Sequence, residues 1–242
     1  LLSHTAGFDR LLSGDPMIQK SPWCPKDVSS LVKIRLDFPP GERYAYSNLG
    51  YCLAGAALER VAEQAIADQI VHELLEPAGL LAVRPVPDGA QWTDEVRLQV
   101  HPHEHIDVLG EFSYQSMHAT GAWSGSAADF GRLMEKVFVA GSPSGLLDKR
   151  GRSSLLQVAN GCDTSMWRLC HGLGLYRYEG DARLTMHWRD GSFPGGSAFF
   201  ALSEDSRIVV WVANGRLPDW MSGNDMVGLA IYRYLLEGVL PD

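Results

Sequence analysis

The 242-residue sequence contains no long apolar run and no excess of positive charge. Its longest apolar stretches, such as residues 208–213, are far too short to cross a bilayer, so this chain carries no predicted membrane span. The formal net charge of −8 argues against a nucleic-acid partner, because phosphate backbones are bound by clustered lysine and arginine. The length is sufficient for one large domain, or two closely joined ones, with a sizeable core.

Cysteine is scarce, and its spacing differs from that of zinc-binding motifs. The four cysteines form no C-x-x-C pair, so no structural zinc site is expected; they are Cys24, Cys52, Cys162 and Cys170. Cys162 and Cys170 close a short loop and could pair in an oxidising compartment. Because buried free cysteines are common, we instead expect four separate thiols. The compartment therefore stays open.

The N-terminus lacks the features of an unprocessed secretory precursor. It has no initiator Met, no basic segment and no apolar signal core. The chain opens directly on Leu1-Leu2-Ser3-His4-Thr5-Ala6-Gly7-Phe8, as if it were entered partway through. We therefore expect one domain over residues 1–242 that is incomplete at its N-terminus.

Helical patterns come first along the chain, and strand patterns follow. Helices are predicted from Asn48 to about residue 61 with Ser47 or Asn48 as N-cap, and at about 65–75, after Ser126, at 153–160 and at 224–236. Strands are predicted at 174–178, 184–188, 196–202 and 207–213, with turns at 179–181 and 203–205. The pattern indicates a segregated α+β fold: a mainly helical and loop portion over 1–165, then antiparallel strands and a closing helix over 166–242.

The tripeptide Tyr46-Ser47-Asn48 lies between a Pro-Pro-Gly turn and a helix start. The positive end of the helix dipole favours a phenolate there, and a tyrosine activated further by a nearby cation can take a proton from a serine hydroxyl. Ser47 and Asn48 can hydrogen-bond to a substrate or to catalytic groups. By itself the tripeptide is better explained as a capped helix that follows a packed aromatic residue.

Five segments along the chain, one of which contains the tripeptide, give it a context. They are the opening residues 1–8, the stretch from Phe38 to Tyr51, and the segments Ala119–Phe130 and Gly191–Ser197 followed by Val212-Ala213-Asn214. In order and spacing they resemble the penicillin-recognising serine hydrolases, above all class C β-lactamases, family VIII esterases and D-aminopeptidases. The resemblance implies a β-lactamase/transpeptidase-like fold, with a helical subdomain and an antiparallel sheet flanked by helices, whose N-terminal part is absent.

Members of this family use three active-site elements: Ser-x-x-Lys, Tyr-x-Asn, and Lys/His-x-Gly on a strand. The resemblance assigns catalytic roles to Tyr46, Asn48 and Ser192, whose backbone N–H would stabilise the oxyanion. It assigns substrate-binding roles to Ser47, Arg189, Gly191 and His187. Arg189-Asp190-Gly191 stands where Lys/His-x-Gly belongs, whereas His187 lies two residues too early unless a bulge shifts it. Arg189 would bind a substrate carboxylate, or else form a surface ion pair.

In the family the Ser-x-x-Lys motif lies upstream of the segment that corresponds to residues 1–8. The given sequence therefore begins after the position at which the resemblance places the nucleophile. The single literal match, Ser30-Leu31-Val32-Lys33, lies in a linking stretch and is treated as a chance match. Two histidine features are also set aside. His101, His103 and His105 alternate and could bind a metal on a strand, but Pro102 favours a surface loop. His4 is expected to be structural.

The resulting prediction is a serine hydrolase that acts through an acyl-enzyme on β-lactams, esters or D-amino-acid peptides and amides, with its nucleophile upstream of this chain. It needs no metal ion or organic cofactor, and its partner is a small-molecule or peptide substrate. The alternative is a catalytically inactive relative that serves as a ligand- or peptidoglycan-binding module. By resemblance, a bacterial periplasmic or secreted location is expected, and a cytoplasmic one stays open, as does the oligomeric state.

Overall fold

A computed structural model of the chain describes residues 1–139, 145–159 and 161–238. These residues form two compact units. The first comprises residues 1–95 and 107–124, and the second comprises 96–106 and the described part of 125–242. None of the helices in the described ranges is long and apolar enough to cross a membrane.

The first unit is built on helix α1, Asn48–Ala62, as the sequence predicts. Its apolar side buries Leu49 and Cys52. Helix α2, Ile66–Ile70, continues as a π-helical turn over Val71–Leu75, so the predicted helix at 65–75 is confirmed. Strands β1, Arg84–Pro85, and β2, Trp123–Ser124, pair antiparallel, and short 3-10 turns cover Pro16–Ile18, Val28–Lys33 and Gln115–Met117.

The prediction of four free thiols is wrong. Cys24 is bonded to Cys52, and Cys162 is bonded to Cys170, with Cα–Cα distances of 6.2 and 5.7 Å. The first bond joins residues 28 positions apart and ties the Pro-rich segment before α1 to the helix itself. Sequence spacing could not indicate this pair, because the fold brings the two cysteines together.

The second unit is a five-stranded antiparallel sheet with helices. The strands follow the order β3-β4-β5-β6-β7, each beside the next. They are β3 Cys170–His171, β4 Tyr176–Asp181, β5 Leu184–Phe193, β6 Gly196–Ser203 and β7 Ile208–Ala213. The helices are α3 Ala127–Phe138, α4 Lys149–Leu156 and α5 Trp220–Glu237.

The four predicted strands and the helices at 126 and 224 are confirmed, but several boundaries differ. Helix α4 begins at Lys149, where Asp148 caps it, and ends at Leu156 rather than near 160, a position outside the described residues. The predicted turn at 179–181 is wrong, because β4 runs through to Asp181 with a register shift after Tyr178. The sequence also missed the two-residue strands β1, β2 and β3.

Aromatic rings fill the core between the sheet and α5 in the second unit. Trp188 stacks on Trp167 at 4.1 Å and on Phe199 at 5.3 Å between ring centroids. Gly228 of α5 lies directly against them: a Cβ at this position would come within 2.6 Å of both Trp167 and Phe199. The close approach of α5 to the sheet therefore requires glycine at position 228.

Candidate active site

The segment Tyr46-Ser47-Asn48 forms the start of α1 in the first unit. Ser47 is the extended N-cap residue, and Asn48 is the first residue of the helix. The Tyr46 hydroxyl donates to Asn48 Oδ1 at 2.9 Å. Two of the predicted catalytic residues are therefore in direct contact, although a phenol that donates its proton is not the phenolate that the helix dipole was expected to favour.

A buried carboxylate that the sequence analysis missed holds the other end of the Asn48 amide. Asn48 Nδ2 donates to the two carboxylate oxygens of Asp15 at 3.0 and 2.9 Å. Asp15 is only 2% exposed, and Arg10 lies 3.4 Å from it. The Arg10 guanidinium also lies over the Tyr46 ring, 5.5 Å from its centroid. The site in this unit is therefore a network and not an isolated tripeptide.

His4 packs against the segment that precedes α1. It is buried, and its backbone is left-handed at φ 56°. Its Nδ1 accepts the backbone N–H of Ser47 at 3.1 Å, and its ring contacts Tyr46 at 4.5 Å and Tyr51 at 5.2 Å between centroids. These contacts are those of a residue that shapes the loop.

Ser47 itself points into the protein. The residue is 2% exposed, and its hydroxyl has no hydrogen-bond partner in the described part of the chain. That Ser47 binds substrate stays a prediction, and in the fold its hydroxyl is enclosed.

The segment predicted to replace Lys/His-x-Gly lies on β5. The β5–β6 register runs without interruption from Met186 opposite Ser203 to Phe193 opposite Gly196. On the other side, β4 pairs with β5 in register through His187, and the irregularity of β4 begins beyond Tyr178. No bulge therefore moves His187 toward the position of Arg189.

His187 is enclosed within the sheet. It is 4% exposed and lies opposite Arg177 on β4 and Leu202 on β6. Burial, assisted by the positive charge of Arg177, lowers the pKa of His187 to about 4. The imidazole is thus kept neutral inside the protein.

Arg189 is partly exposed and contacts a histidine and an aromatic ring. Its Nη1 lies 3.1 Å from His171 Nε2, and its guanidinium lies 5.6 Å from the centroid of the Tyr176 ring. His171 Nδ1 lies 2.8 Å from the Gly172 carbonyl, so Nδ1 carries the proton and Nε2 accepts from arginine. The side chain is therefore held in place by the strands beside it.

Asp190 points to the opposite face and is buried in an ion pair. Arg168 donates to both of its oxygens, at 3.0 and 2.8 Å, and Asn224 Nδ2 donates at 2.9 Å. Burial alone would raise the pKa of Asp190, but the Arg168 guanidinium outweighs it and lowers the pKa below its ordinary value. Asn224 also reaches the Gly191 carbonyl at 3.4 Å. The network fixes the segment that carries Gly191.

Ser192 lies two residues beyond Asp190, just before the Pro194-Gly195 turn. In an antiparallel hairpin closed by two residues, the flanking pair exchanges both backbone hydrogen bonds and the bonding direction then alternates. Phe193 therefore bonds toward β6, and the Ser192 N–H is directed away from it. Since β4 pairs with β5 only as far as Trp188 in the described ranges, that N–H faces the side without a strand partner.

The remaining candidates lie in surface segments. The Ser30 hydroxyl donates to Asp27 at 2.7 Å within the 3-10 turn Val28–Lys33. His101, His103 and His105 lie in a loop of the second unit and not on a strand. In the described ranges, no group of three or more His, Cys, Asp or Glu side chains is arranged to hold a metal ion.

Three residues of these networks could not be recognised from the sequence. Asp15 stands in a Gly-Asp-Pro segment that indicates only a turn, and Arg168 lies in an irregular stretch. Asn224 was noted only as the start of a helix. Each acquires its role through a partner at least 22 residues away along the chain.

Comparison with known proteins identifies the family. The family model described as Beta-lactamase matches residues 1–227. The chain belongs to the β-lactamase family. Two provisionally named FimD fimbrial assembly proteins of Dichelobacter nodosus, of serogroups D and H1, are each 31% identical to it over 86% and 98% of its length. This β-lactamase-family chain spans 52% and 58% of those two relatives.

Solved structures share the fold of this β-lactamase-family chain. A D-amino acid amidase from Ochrobactrum anthropi SV3 has a TM-score of 0.72 at 19% identity, covering 98% of this chain and 76% of the amidase. A penicillin-binding protein from Bacillus halodurans has a TM-score of 0.69 at 21% identity, covering 93% and 70%. The predicted β-lactamase/transpeptidase-like α+β fold is thereby confirmed.

Proposed function

We propose that the protein is a serine hydrolase that acts through an acyl-enzyme on β-lactams, small esters or D-amino-acid peptides and amides. The observation that carries the proposal is the Tyr46–Asn48 hydrogen bond at the start of α1, in a chain of the β-lactamase family. Acyl transfer by a serine needs neighbouring groups that move a proton at the nucleophile. Tyr46 and Asn48 are the proposed groups of this kind.

The proposed nucleophile is the serine of a Ser-x-x-Lys motif upstream of Leu1. The two FimD relatives are longer than this chain, which leaves room for such a motif in a longer protein. Ser30 is not proposed, because its hydroxyl is bonded to Asp27 in a surface turn.

The proposed anion-binding groups are on β5. The uninterrupted register supports Arg189, and not His187, at the position of the usual Lys or His. Arginine stays charged, so Arg189 would bind a substrate carboxylate and would not transfer a proton. Gly191 leaves open space beside the strand, and the Ser192 N–H on the unpaired side of β5 is the proposed oxyanion donor.

The proposed compartment is oxidising, either periplasmic or extracellular. Two disulfides in one chain are typical of proteins that fold outside a reducing cytosol. The names of the FimD relatives, which refer to fimbrial assembly, agree with such a location. The D-amino acid amidase fold is consistent with D-amino-acid amides as one substrate class.

A second candidate is a catalytically inactive relative that binds peptidoglycan or another ligand. It is favoured by Arg189 at a position where the family carries lysine or histidine, since the arginine gives no proton shuttle. A role of the FimD relatives in fimbrial assembly would also be compatible with a binding function.

The deciding experiment is intact-mass analysis of the full-length protein after incubation with a labelled penicillin and, separately, with a fluorophosphonate. The hydrolase proposal expects a single adduct of one of these reagents. The 242-residue chain alone is expected to give none. If the full-length protein stays unmodified by both, the hydrolase proposal fails, and binding to purified peptidoglycan becomes the next measurement.

The role of Tyr46 is tested with a matched pair of variants. Tyr46→Phe should slow adduct formation by about 100-fold or more, because the phenol proton is lost while the ring is kept. Tyr51→Phe also keeps a ring against His4 and removes a hydroxyl that donates to the Leu2 carbonyl. Labelling of Tyr51→Phe should stay within about twofold of wild type, since the reacting groups are unchanged. Equal rates for the two variants would remove Tyr46 from the mechanism.

A further inference from the structure

The carboxylate of Asp15 is buried in the first unit. It lies between Gly14 and Pro16, accepts the backbone N–H of Met17 at 2.9 Å, and is 2% exposed. Both of its oxygens face Asn48 Nδ2. Arg10 also lies 3.4 Å from this side chain.

An ionised carboxylate only accepts hydrogen bonds, so Asn48 must present its NH2 group to Asp15. The amide oxygen of Asn48 then faces the other way, toward the Tyr46 hydroxyl at 2.9 Å. A carbonyl oxygen also only accepts, so the phenol must donate. The direction of each hydrogen bond in the chain Tyr46–Asn48–Asp15 therefore follows from the charge at its buried end.

We propose that Asp15 is a positioning residue that fixes the orientation of the Asn48 amide, so that Tyr46 rests as a neutral phenol and donates its proton. The consequence for catalysis rests on the proposed function, whereas the hydrogen-bond direction does not. Tyr46 would begin any reaction cycle with its proton in place.

The charges around Tyr46 act in opposite directions. Arg10, 5.5 Å from the ring centroid, favours the phenolate, and the Asp15 carboxylate disfavours it. His4, at 4.5 Å, is neutral because its Nδ1 accepts the Ser47 N–H. Replacing Asp15 by an uncharged residue removes a negative charge that opposes the phenolate and leaves Arg10 without this partner. It also frees the Asn48 amide to rotate and donate to the phenolic oxygen.

The test is a pH titration of Tyr46 by NMR in the full chain, using tyrosine labelled with 13C at Cζ and assigning the signal by its loss in Tyr46→Phe. In the wild-type protein the midpoint should lie at or above the ordinary tyrosine value of about 10. Asp15→Asn, which is nearly isosteric, should lower the midpoint by about 1 pH unit or more.

Asp9→Asn is the matched control on the same segment. Asp9 accepts the Leu11 N–H and lies 3.7 Å from Arg43, away from the Asn48 amide, so its replacement should leave the Tyr46 midpoint unchanged. An unchanged or raised midpoint in a folded Asp15→Asn protein overturns the proposal. If that variant does not fold, the wild-type titration decides, because a midpoint well below 10 excludes a resting phenol that donates.

These measurements need no activity and therefore separate the two proposals. The expected titration with no penicillin or fluorophosphonate adduct would refute the hydrolase function and keep Asp15 as the residue that orients Asn48. An adduct together with an unresponsive titration would do the reverse.

Discussion

Arg168 and Asp190 form a two-pronged ion pair, with Nη1 to Oδ1 at 3.0 Å and Nη2 to Oδ2 at 2.8 Å. Their side chains are 19% and 6% exposed, so the pair is largely removed from water. Asp225 and the Trp188 ring also contact the guanidinium. In this geometry the loss of Arg168 leaves the buried Asp190 carboxylate without its paired guanidinium.

Arg168→Ala should therefore lower the free energy of unfolding by about 3–5 kcal/mol, as is usual when one member of a buried pair is removed. Arg183→Ala is the control, because Arg183 forms a similar pair with Asp181 but is 71% exposed. That variant should lose far less stability, since water already screens the exposed pair. Urea denaturation measures both, and equal losses would contradict the role assigned to burial.

Gly228→Ala should destabilise the protein by about 1–3 kcal/mol, because the new methyl group meets the rings of Trp167 and Phe199. In contrast, Gly131→Ala in α3 meets only Val210 at 3.9 Å and should stabilise by up to about 1 kcal/mol through helix propensity. Thermal unfolding of the two variants should give shifts of opposite sign. A stabilising Gly228→Ala would mean that α5 does not pack as closely as described.

His187 should make the protein sensitive to mild acid. Its pKa is lowered to about 4 in the fold and is about 6.5 in an unfolded chain, so the unfolded state binds more protons between these values. The stability due to neutral His187 is complete above pH 6.5 and is lost as pH falls toward 4, in total about 3 kcal/mol.

His187→Gln should accordingly flatten the dependence of unfolding free energy on pH between about 6.5 and 4. His72→Gln is the control, since His72 is exposed and Glu76 raises its pKa. A histidine whose pKa is raised in the fold adds stability as the pH falls. Replacing His72 therefore cannot reduce the loss of unfolding free energy in acid. A wild-type slope that survives in His187→Gln would show that other groups cause the acid sensitivity.

The disulfides should leave no thiol that reacts with a thiol reagent in unreduced, unfolded protein. Replacing Cys24 and Cys52 by serine should cost about 3.5 kcal/mol, and replacing Cys162 and Cys170 about 2.5 kcal/mol, because the first pair closes the longer loop. Chemical denaturation of the two double variants tests this order. Four titratable thiols would refute both bonds.

Ser30→Ala should leave the labelling of the full-length protein by penicillin or fluorophosphonate unchanged, since the hydroxyl serves only the Asp27 turn. Loss of the adduct in this variant, with thermal unfolding unchanged, would identify Ser30 as the nucleophile after all.

Much of the fold follows from local patterns. The period of apolar residues after Asn48 and after Ser126 predicts α1 and α3, since one face of each helix must be buried. The four long strands follow for a similar reason. The boundaries are less evident: β4 shifts its register against β5 after Tyr178, and α4 begins at Lys149, where the Asp148 side chain accepts the Gly151 N–H.

The candidate site was predicted only in part, for a related physical reason. Tyr46 and Asn48 stand in a recognisable motif, whereas Asp15 reaches them from 33 residues away. The pairing of Cys24 with Cys52 was missed on the same grounds. A short stretch of sequence predicts local geometry. It does not predict which buried carboxylate will bind an amide that lies far away along the chain.

The Cys24–Cys52 bond also changes how often Asp15 and Asn48 encounter each other. Along the chain they are 33 residues apart. Nine residues separate Asp15 from Cys24 and four separate Asn48 from Cys52, so the path through the crosslink is less than half as long. A shorter path raises the effective concentration of the carboxylate at the amide. Oxidation thus favours the hydrogen-bond chain that ends on Tyr46, and reduction would weaken it without touching any of its three residues.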